Sequence, residues 1–167
     1  MKSIIIGIDP GTKTAGVCVL RRQADGGYLP STVCEVILDE ADPYLMAREI
    51  VQNVLRSYLS FSHRDETITV VIENYRERHG CTASARVLET IGALTWALRE
   101  VGCVVELVEH MTWRGEWLDF MMRTAAAGEK KPSWMIDLKE HELDAAKMAW
   151  LEVEKQSTGP AEPGKKD

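Results

Sequence analysis

Apolar positions arrive in blocks separated by short polar breaks, and their period changes along the chain. Ile4, Ile5, Ile6 and Ile8 form a run closed by Asp9, and a second run resumes from Thr14 to Leu20 after Pro10-Gly11-Thr12-Lys13. β-Branched runs split by a Pro-Gly turn predict strands over 3–9 and 14–20, joined as an antiparallel hairpin. A third strand fits 32–38, after the Gly26-Gly27 break. Asp42-Pro43 then reads as a helix start, with Asp42 as N-cap and Pro43 at the first helical position. Ala47, Val51, Val54, Leu55 and Tyr58 follow at helical spacing and give that helix one buried face. Residues 67–73 are β-branched and alternate, which predicts a central strand. Val87, Ile91, Leu94, Leu98 and Val101 mark a long helix over 82–101 ended by Gly102, and Gly92-Ala93 within it would admit a close neighbour. A last strand fits 103–108 and a final helix 140–155. Between these two, 110–139 reads as less regular and is rich in Trp113, Trp117, Met121, Met122, Trp134 and Met135. No internal repeat is visible.

Three strands, a helix, a strand, a long helix, a strand and a C-terminal helix is the element order of the ribonuclease-H-like α/β fold. That fold is a five-stranded mixed sheet, its first three strands antiparallel, flanked by helices. With 167 residues the chain is expected to form a single domain over 1–155 with a disordered tail over 156–167, where Ser, Gly, Pro and Lys accumulate. No apolar stretch is long enough to span a bilayer, and Met1-Lys2-Ser3 leads directly into a strand instead of a signal peptide. Cys18, Cys34, Cys81 and Cys103 are scattered without a Cys-x-x-Cys pair, which suits buried thiols in a reducing cytoplasm better than disulfides or zinc. The net charge of −6 excludes a protein coated in positive charge, but not one that grips nucleic acid through a local patch.

Three acids stand out by position. Asp9 closes an apolar strand, Glu73 ends another after Val71-Ile72, and Asp144 follows His141 by three residues at the head of the last helix. A carboxylate on a buried strand is unfavourable unless compensated, and a metal ion is a common compensator. Metal-dependent phosphodiester cleavage draws carboxylates from separate elements to one point, where two ions roughly 4 Å apart serve the attacking water and the leaving oxygen. Oxygen ligands with one histidine suit magnesium or manganese. Each acid also has a plainer reading: Asp9 as a turn former, Glu73 as a strand exit, His141 and Asp144 as a solvated helix start favoured by the dipole. Their joint occurrence in this order favours chemistry.

The segment Gly7-Ile8-Asp9-Pro10-Gly11-Thr12 with Gly16 resembles the first motif of the RuvC family of Holliday-junction resolvases. Val71-Ile72-Glu73 resembles that family's second acid-bearing strand. His141-Glu142-Leu143-Asp144-Ala145-Ala146 resembles its last motif, in which an acid or histidine precedes an aspartate by three residues. The resemblance covers about 3–152. It implies a homodimer whose two active sites make paired, magnesium-dependent nicks in a four-way DNA junction and leave 5′-phosphate and 3′-hydroxyl ends. Asp9, Glu73, His141 and Asp144 would then be catalytic metal ligands for two Mg2+ or Mn2+ ions, with His141 alternatively orienting the water. Tyr75 stands near the family's junction-wedging aromatic and can stack on a base, or simply cover a strand end. Arg76, Arg78 and His79 beside it, with Arg114, Arg123, Lys130 and Lys131 further on, are the candidate DNA contacts. The family's basic strand exit and helix have no clear counterpart in 110–139, a divergence that fits a phage-type branch, and the Trp/Met content there points to packing.

Three rival readings stay open on sequence alone. One is the RuvC-like nucleases that trim ribosomal RNA precursors, which are shorter and share the Asp-x-Gly opening. Another is the phosphate-binding lobe of actin-like sugar kinases, which needs a second lobe this length cannot supply. The third is a module that binds junctions without cutting.

Overall fold

The computed structural model describes residues 2–60, 66–75, 82–128 and 132–158. The first strand, β1 (Lys2–Asp9), sends Ile4, Ile6 and Ile8 to one face and Ile5 to the other, and all four are buried. A strand covered on both sides needs no polar alternation, so its sequence is a nearly unbroken apolar run. β1 pairs antiparallel with β2 (Thr14–Arg22) and parallel with β4 (Glu66–Asn74). β2 pairs antiparallel with β3 (Tyr28–Ile37), and β4 parallel with β5 (Val104–Glu109), giving the order β3-β2-β1-β4-β5. This is the ribonuclease-H-like sheet that the element order predicts, with its first three strands antiparallel. β3 begins before the predicted residue 32 because Pro30, which weakens a strand reading, is tolerated on an edge strand.

One face of the sheet is covered by α1 (Pro43–Arg48), α2 (Arg56–Ser60) and α3 (Thr82–Glu100). Asp42 caps α1 as expected, its Oδ1 accepting from the Tyr44 and Leu45 amides at 2.9 Å each. A wide helical turn, Glu49–Val54, links α1 to α2, and the Leu55 amide bonds back five residues to the Ile50 carbonyl. That extra residue brings both Ile50 and Leu55 into the core, where a straight 3.6-residue period would turn one away. Val87, Ile91, Leu94 and Leu98 bury the inner face of α3. The close neighbour expected at Gly92 is not found: nothing approaches where its Cβ would lie.

The other face carries α4 (His110–Ala126) and α5 (Glu140–Thr158), with a short 3₁₀ turn, Ser133–Met135, between them. The expectation of an irregular 110–139 is therefore corrected, since most of it is a regular helix. α4 is apolar on two sides. Trp113 and Phe120 are buried, with Trp117 and Met121 packed beside them, while Met111, Leu118 and Met122 are exposed. Two apolar stripes blur the periodicity that would announce a helix. α5 runs to Thr158, past the predicted end at 155, and 159–167 lie outside the described residues. No helix among the described residues is long and apolar enough to cross a membrane.

α5 lies very close to the sheet. A Cβ on Gly7 would sit 2.0 Å from the Ala145 carbonyl oxygen, and one on Gly16 would sit 1.9 Å from that of His141. Ala145, Ala146 and Ala149 complete this contact with no exposed area. Gly7→Ala or Gly16→Ala must push the helix backbone away, so urea denaturation should report a loss of about 3 kcal/mol. Gly115→Ala, in a helix with open space around it, should gain roughly 0.5–1 kcal/mol in the same assay.

Candidate active site

β1 and β4 run parallel with Ile8 opposite Ile72, so the next residue on each strand, Asp9 and Glu73, places a carboxylate at the same end of the sheet. Strand alternation turns Asp9 to the side of Ile5 and Gly7, the face on which α5 lies. Both acids are almost fully buried, at 2% and 1% exposure. The tight passage of α5 over Gly16, itself paired with Asp9 across the β1–β2 ladder, delivers the head of the helix to the same place. His141 Nδ1 lies 2.6 Å from Asp9 Oδ2. Asp144, one helical turn on, is buried as well.

The first turn of α4 completes the site. His110 Nδ1 contacts Glu73 Oε1, and Trp113 Nε1 donates to that same oxygen at 3.0 Å. Arg114 Nη2 donates to Asp144 Oδ2 at 3.1 Å, and Lys147 Nζ, from α5, donates to Asp144 Oδ1 at 2.7 Å. Both cations lie over the Trp113 ring, at 5.3 Å for Arg114 Cζ and 5.8 Å for Lys147 Nζ. The Tyr75 hydroxyl donates to Asp9 Oδ1 at 3.2 Å, and its ring packs 6.0 Å from that of His110. Tyr75 thus sits inside the acidic cluster and covers the end of β4.

The acids are electrostatically unequal. Burial pushes the Asp9 carboxyl up to about 7, its hydrogen bond to Glu73 adds to this, and His141 opposes it. Burial acts on Glu73 in the same direction, but hydrogen bonds from Asp9, Trp113, His110 and Tyr75 outweigh it and hold this carboxyl below its ordinary value. Asp9 is therefore the member of the pair that takes up a proton more readily. Burial disfavours charge on His141, yet the bond and attraction to Asp9 prevail and raise its pKa above the usual imidazole range.

Among the described residues, no three histidine, cysteine or carboxylate groups converge tightly enough to hold an ion as the side chains lie. The donor set nevertheless fits a small divalent cation. Two buried carboxylates at one end of the sheet, with the His141 imidazole 2.6 Å from one of them, offer the hard oxygen ligands and single nitrogen that magnesium or manganese accepts. Asp9, Glu73 and His141 would hold it.

No protein-family model and no curated protein matches the sequence. Solved structures do. Thermus thermophilus RuvC in complex with a Holliday-junction substrate superposes at a TM-score of 0.63 and 20% identity, over 93% of this chain and 96% of that one. A second structure of T. thermophilus RuvC gives 0.58 and 20%, over 89% and 92%. The yeast mitochondrial Holliday-junction resolvase Ydc2 gives 0.58 and 14%, over 92% and 81%. The chain has the RuvC fold.

Within that RuvC-like frame, the four residues singled out from sequence, Asp9, Glu73, His141 and Asp144, lie at one end of the sheet. Arg114, expected on a DNA-contacting face, is found paired with Asp144. Arg76, Arg78, His79, Lys130 and Lys131 lie outside the described residues. Sequence reasoning missed His110, Trp113 and Lys147 as site residues. The signal was present in the spacing: His110, Trp113 and Arg114 share one face once α4 is read as a helix, and Lys147 follows Asp144 by three on the same face of α5.

The protonation pattern fixes how stability depends on pH without metal. Asp9 and His141 both bind protons more tightly folded than unfolded, so the stability they contribute is present at low pH and is lost as pH rises through their folded values. Glu73 has the opposite sign, but it acts only below its ordinary value of 4.5. In chelator-treated buffer, urea denaturation should therefore show stability falling between about pH 5 and pH 8 by on the order of 2–3 kcal/mol. Asp9→Asn should flatten most of that slope.

Proposed function

We propose that this protein is a divalent-cation-dependent, structure-selective endodeoxyribonuclease that resolves four-way DNA junctions by paired nicks, acting in the cytoplasm as a homodimer. The observation that carries the reading is the gathering of Asp9, Glu73, His141 and Asp144 from β1, β4 and α5 at one end of a sheet. The chain that builds it superposes over 93% of its length on a RuvC in complex with a Holliday-junction substrate. A bound divalent ion would supply positive charge to the scissile phosphate and acidify a water. Asp9, Glu73 and His141 would hold it, and Tyr75 and Trp113 fix the orientation of the two carboxylates. His141 Nδ1 lies against Asp9, which orients the ring so that its outer nitrogen can serve as the third ligand of that ion. Arg114, half-exposed beside Asp144, is placed to meet a backbone phosphate. Arg76, Arg78, His79, Lys130 and Lys131 supply further phosphate contacts in this reading. Free thiols at Cys18, Cys34 and Cys103, all with pKa values raised by burial, suit a reducing compartment.

Paired nicks require two active sites, and one chain carries one. The groove between α1 and α3 offers a surface for a second copy. It has a volume of about 440 Å³ and is lined by Tyr44, Ala47, Val51, Gly92, Ala93 and Trp96. Tyr44 and Trp96 are 74% and 69% exposed, an unusual condition for two large rings facing one apolar trough. A two-fold axis through this trough would bury both on their counterparts.

A labelled four-way junction, a matched duplex and a structured RNA, each with and without Mg2+, separate the alternatives on a gel. Symmetrical, metal-dependent nicks in the junction alone are expected, and Asp9→Asn should abolish them while junction binding persists. Cutting of RNA alone would move the protein to the ribosomal-RNA-processing branch. Binding without cutting in any condition would leave a recognition module. Trp96→Glu should convert the dimer to monomer in light scattering and turn paired cuts into single nicks.

A further inference from the structure

Asp144 is the acid of the cluster whose two oxygens are both taken by cations. Lys147 Nζ holds Oδ1 at 2.7 Å and Arg114 Nη2 holds Oδ2 at 3.1 Å. The two cations are not equivalent. Arg114 reaches in from α4 with a side chain 48% exposed, so part of its guanidinium faces solvent. Lys147 is 20% exposed, sits on the same helix as Asp144 at a spacing of three, and lies over the buried face of Trp113. Trp113 is itself tied to Glu73 through its indole N–H. Both cations lie over that ring, so it is the lower exposure of Lys147 and its place on the helix of Asp144 that make it the more enclosed of the two.

A site with two divalent ions needs Asp144 to turn an oxygen toward the second ion. Here that oxygen faces a resident ammonium, and an incoming dication would meet like charge a few ångströms away in a partly desolvated setting. We infer that Lys147 is a built-in monovalent cation that occupies the place of a second metal ion at Asp144, so that each chain binds one divalent ion, at Asp9, Glu73 and His141. The inference rests on the metal-dependent reading above and revises its expected ion count from two to one. Lys147 is a positioning residue in this scheme: it orients Asp144 and supplies fixed positive charge beside the phosphate, with no proton moved and no bond broken.

The test counts ions. Full-length protein is titrated with MnCl2 alone, and free Mn2+ is read by electron paramagnetic resonance. Wild type is expected to bind one ion per chain. Lys147→Met, which keeps the stem over Trp113 and removes the charge, should bind a second ion roughly tenfold or more tighter than wild type does. Lys147→Arg should restore a count of one, which a merely structural role for the side chain would not predict. Two ions of similar affinity in wild type would overturn the inference and leave the nuclease reading intact. So would one ion in both wild type and Lys147→Met. Failure of all forms to bind Mn2+ would overturn the metal-dependent reading, and the inference with it. Should Lys147→Met not fold by circular dichroism, Lys147→Gln carries the same comparison.

Discussion

The close approach of α5 to the hairpin of β1 and β2 is the constraint on which the rest of this structure depends. Two carbonyl oxygens of the helix, from His141 and Ala145, lie where the side chains of Gly16 and Gly7 would otherwise be. These contacts are one helical turn apart, so together they fix the axial position and the rotation of the helix over the sheet. Asp9 lies two residues beyond Gly7 on the same face of β1 and opposite Gly16 on β2. The contact that seats the helix therefore also sets the distance from His141 to Asp9. A larger side chain at either glycine would lift the helix head and separate the two halves of the site. The glycines of the first motif are thus part of the geometry of the acids, although neither carries any chemistry.

Once α5 is seated, burying three carboxylates at one sheet end becomes the second problem, and α4 solves much of it. Trp113 is the hinge of that solution. Its indole N–H satisfies Glu73, its ring face supports Lys147 and Arg114, and its bulk closes the core beneath Val71 and Met148. An aromatic residue is unusual in being able to bury a large apolar area while serving an acid at its edge and cations at its face. Asp9 is treated differently. It has Tyr75 and His141 but no fixed cation among the contacts described, and it is the acid whose pKa rises most. The least compensated carboxylate is the one best prepared to exchange a proton for a metal ion.

Much of this was legible in the sequence, and the pattern of what was not is physically consistent. The strand ending in Asp9, the Asp42-Pro43 cap and the His141-x-x-Asp144 helix head are local signals: a few adjacent residues specify each. Their parallel register, which puts Asp9 beside Glu73, follows from the element order. α4 was not legible, because its inward Trp113, Trp117 and Phe120 and its outward Met111, Leu118 and Met122 put large apolar residues on opposite sides and blur the period. With the helix unread, His110 and Trp113 could not be placed opposite Glu73. Lys147 was hidden for another reason. A lysine three residues after an aspartate reads as a surface pair, and only the Trp113 ring from a distant element makes it an enclosed cation. Gly92 erred the other way, since a small residue in a helix suggests a neighbour within the chain, and here it lines an open trough.

The charge of the molecule gives this arrangement a further meaning. A chain with net charge −6 repels a polyanion at long range, and three buried carboxylates at the point of contact would add to that repulsion where it matters most. The site instead sets Arg114 and Lys147 against Asp144, and burial raises the Asp9 carboxyl toward its neutral form. The field that an approaching phosphate meets is consequently far less negative than the three acids alone would produce. Resident cations of this kind do two jobs for the proposed nuclease. They offset the charge of Asp144 within the fold, and they would lessen the repulsion of a DNA backbone. Asp144, held by two such cations, belongs to this screening layer and not to the metal-binding one.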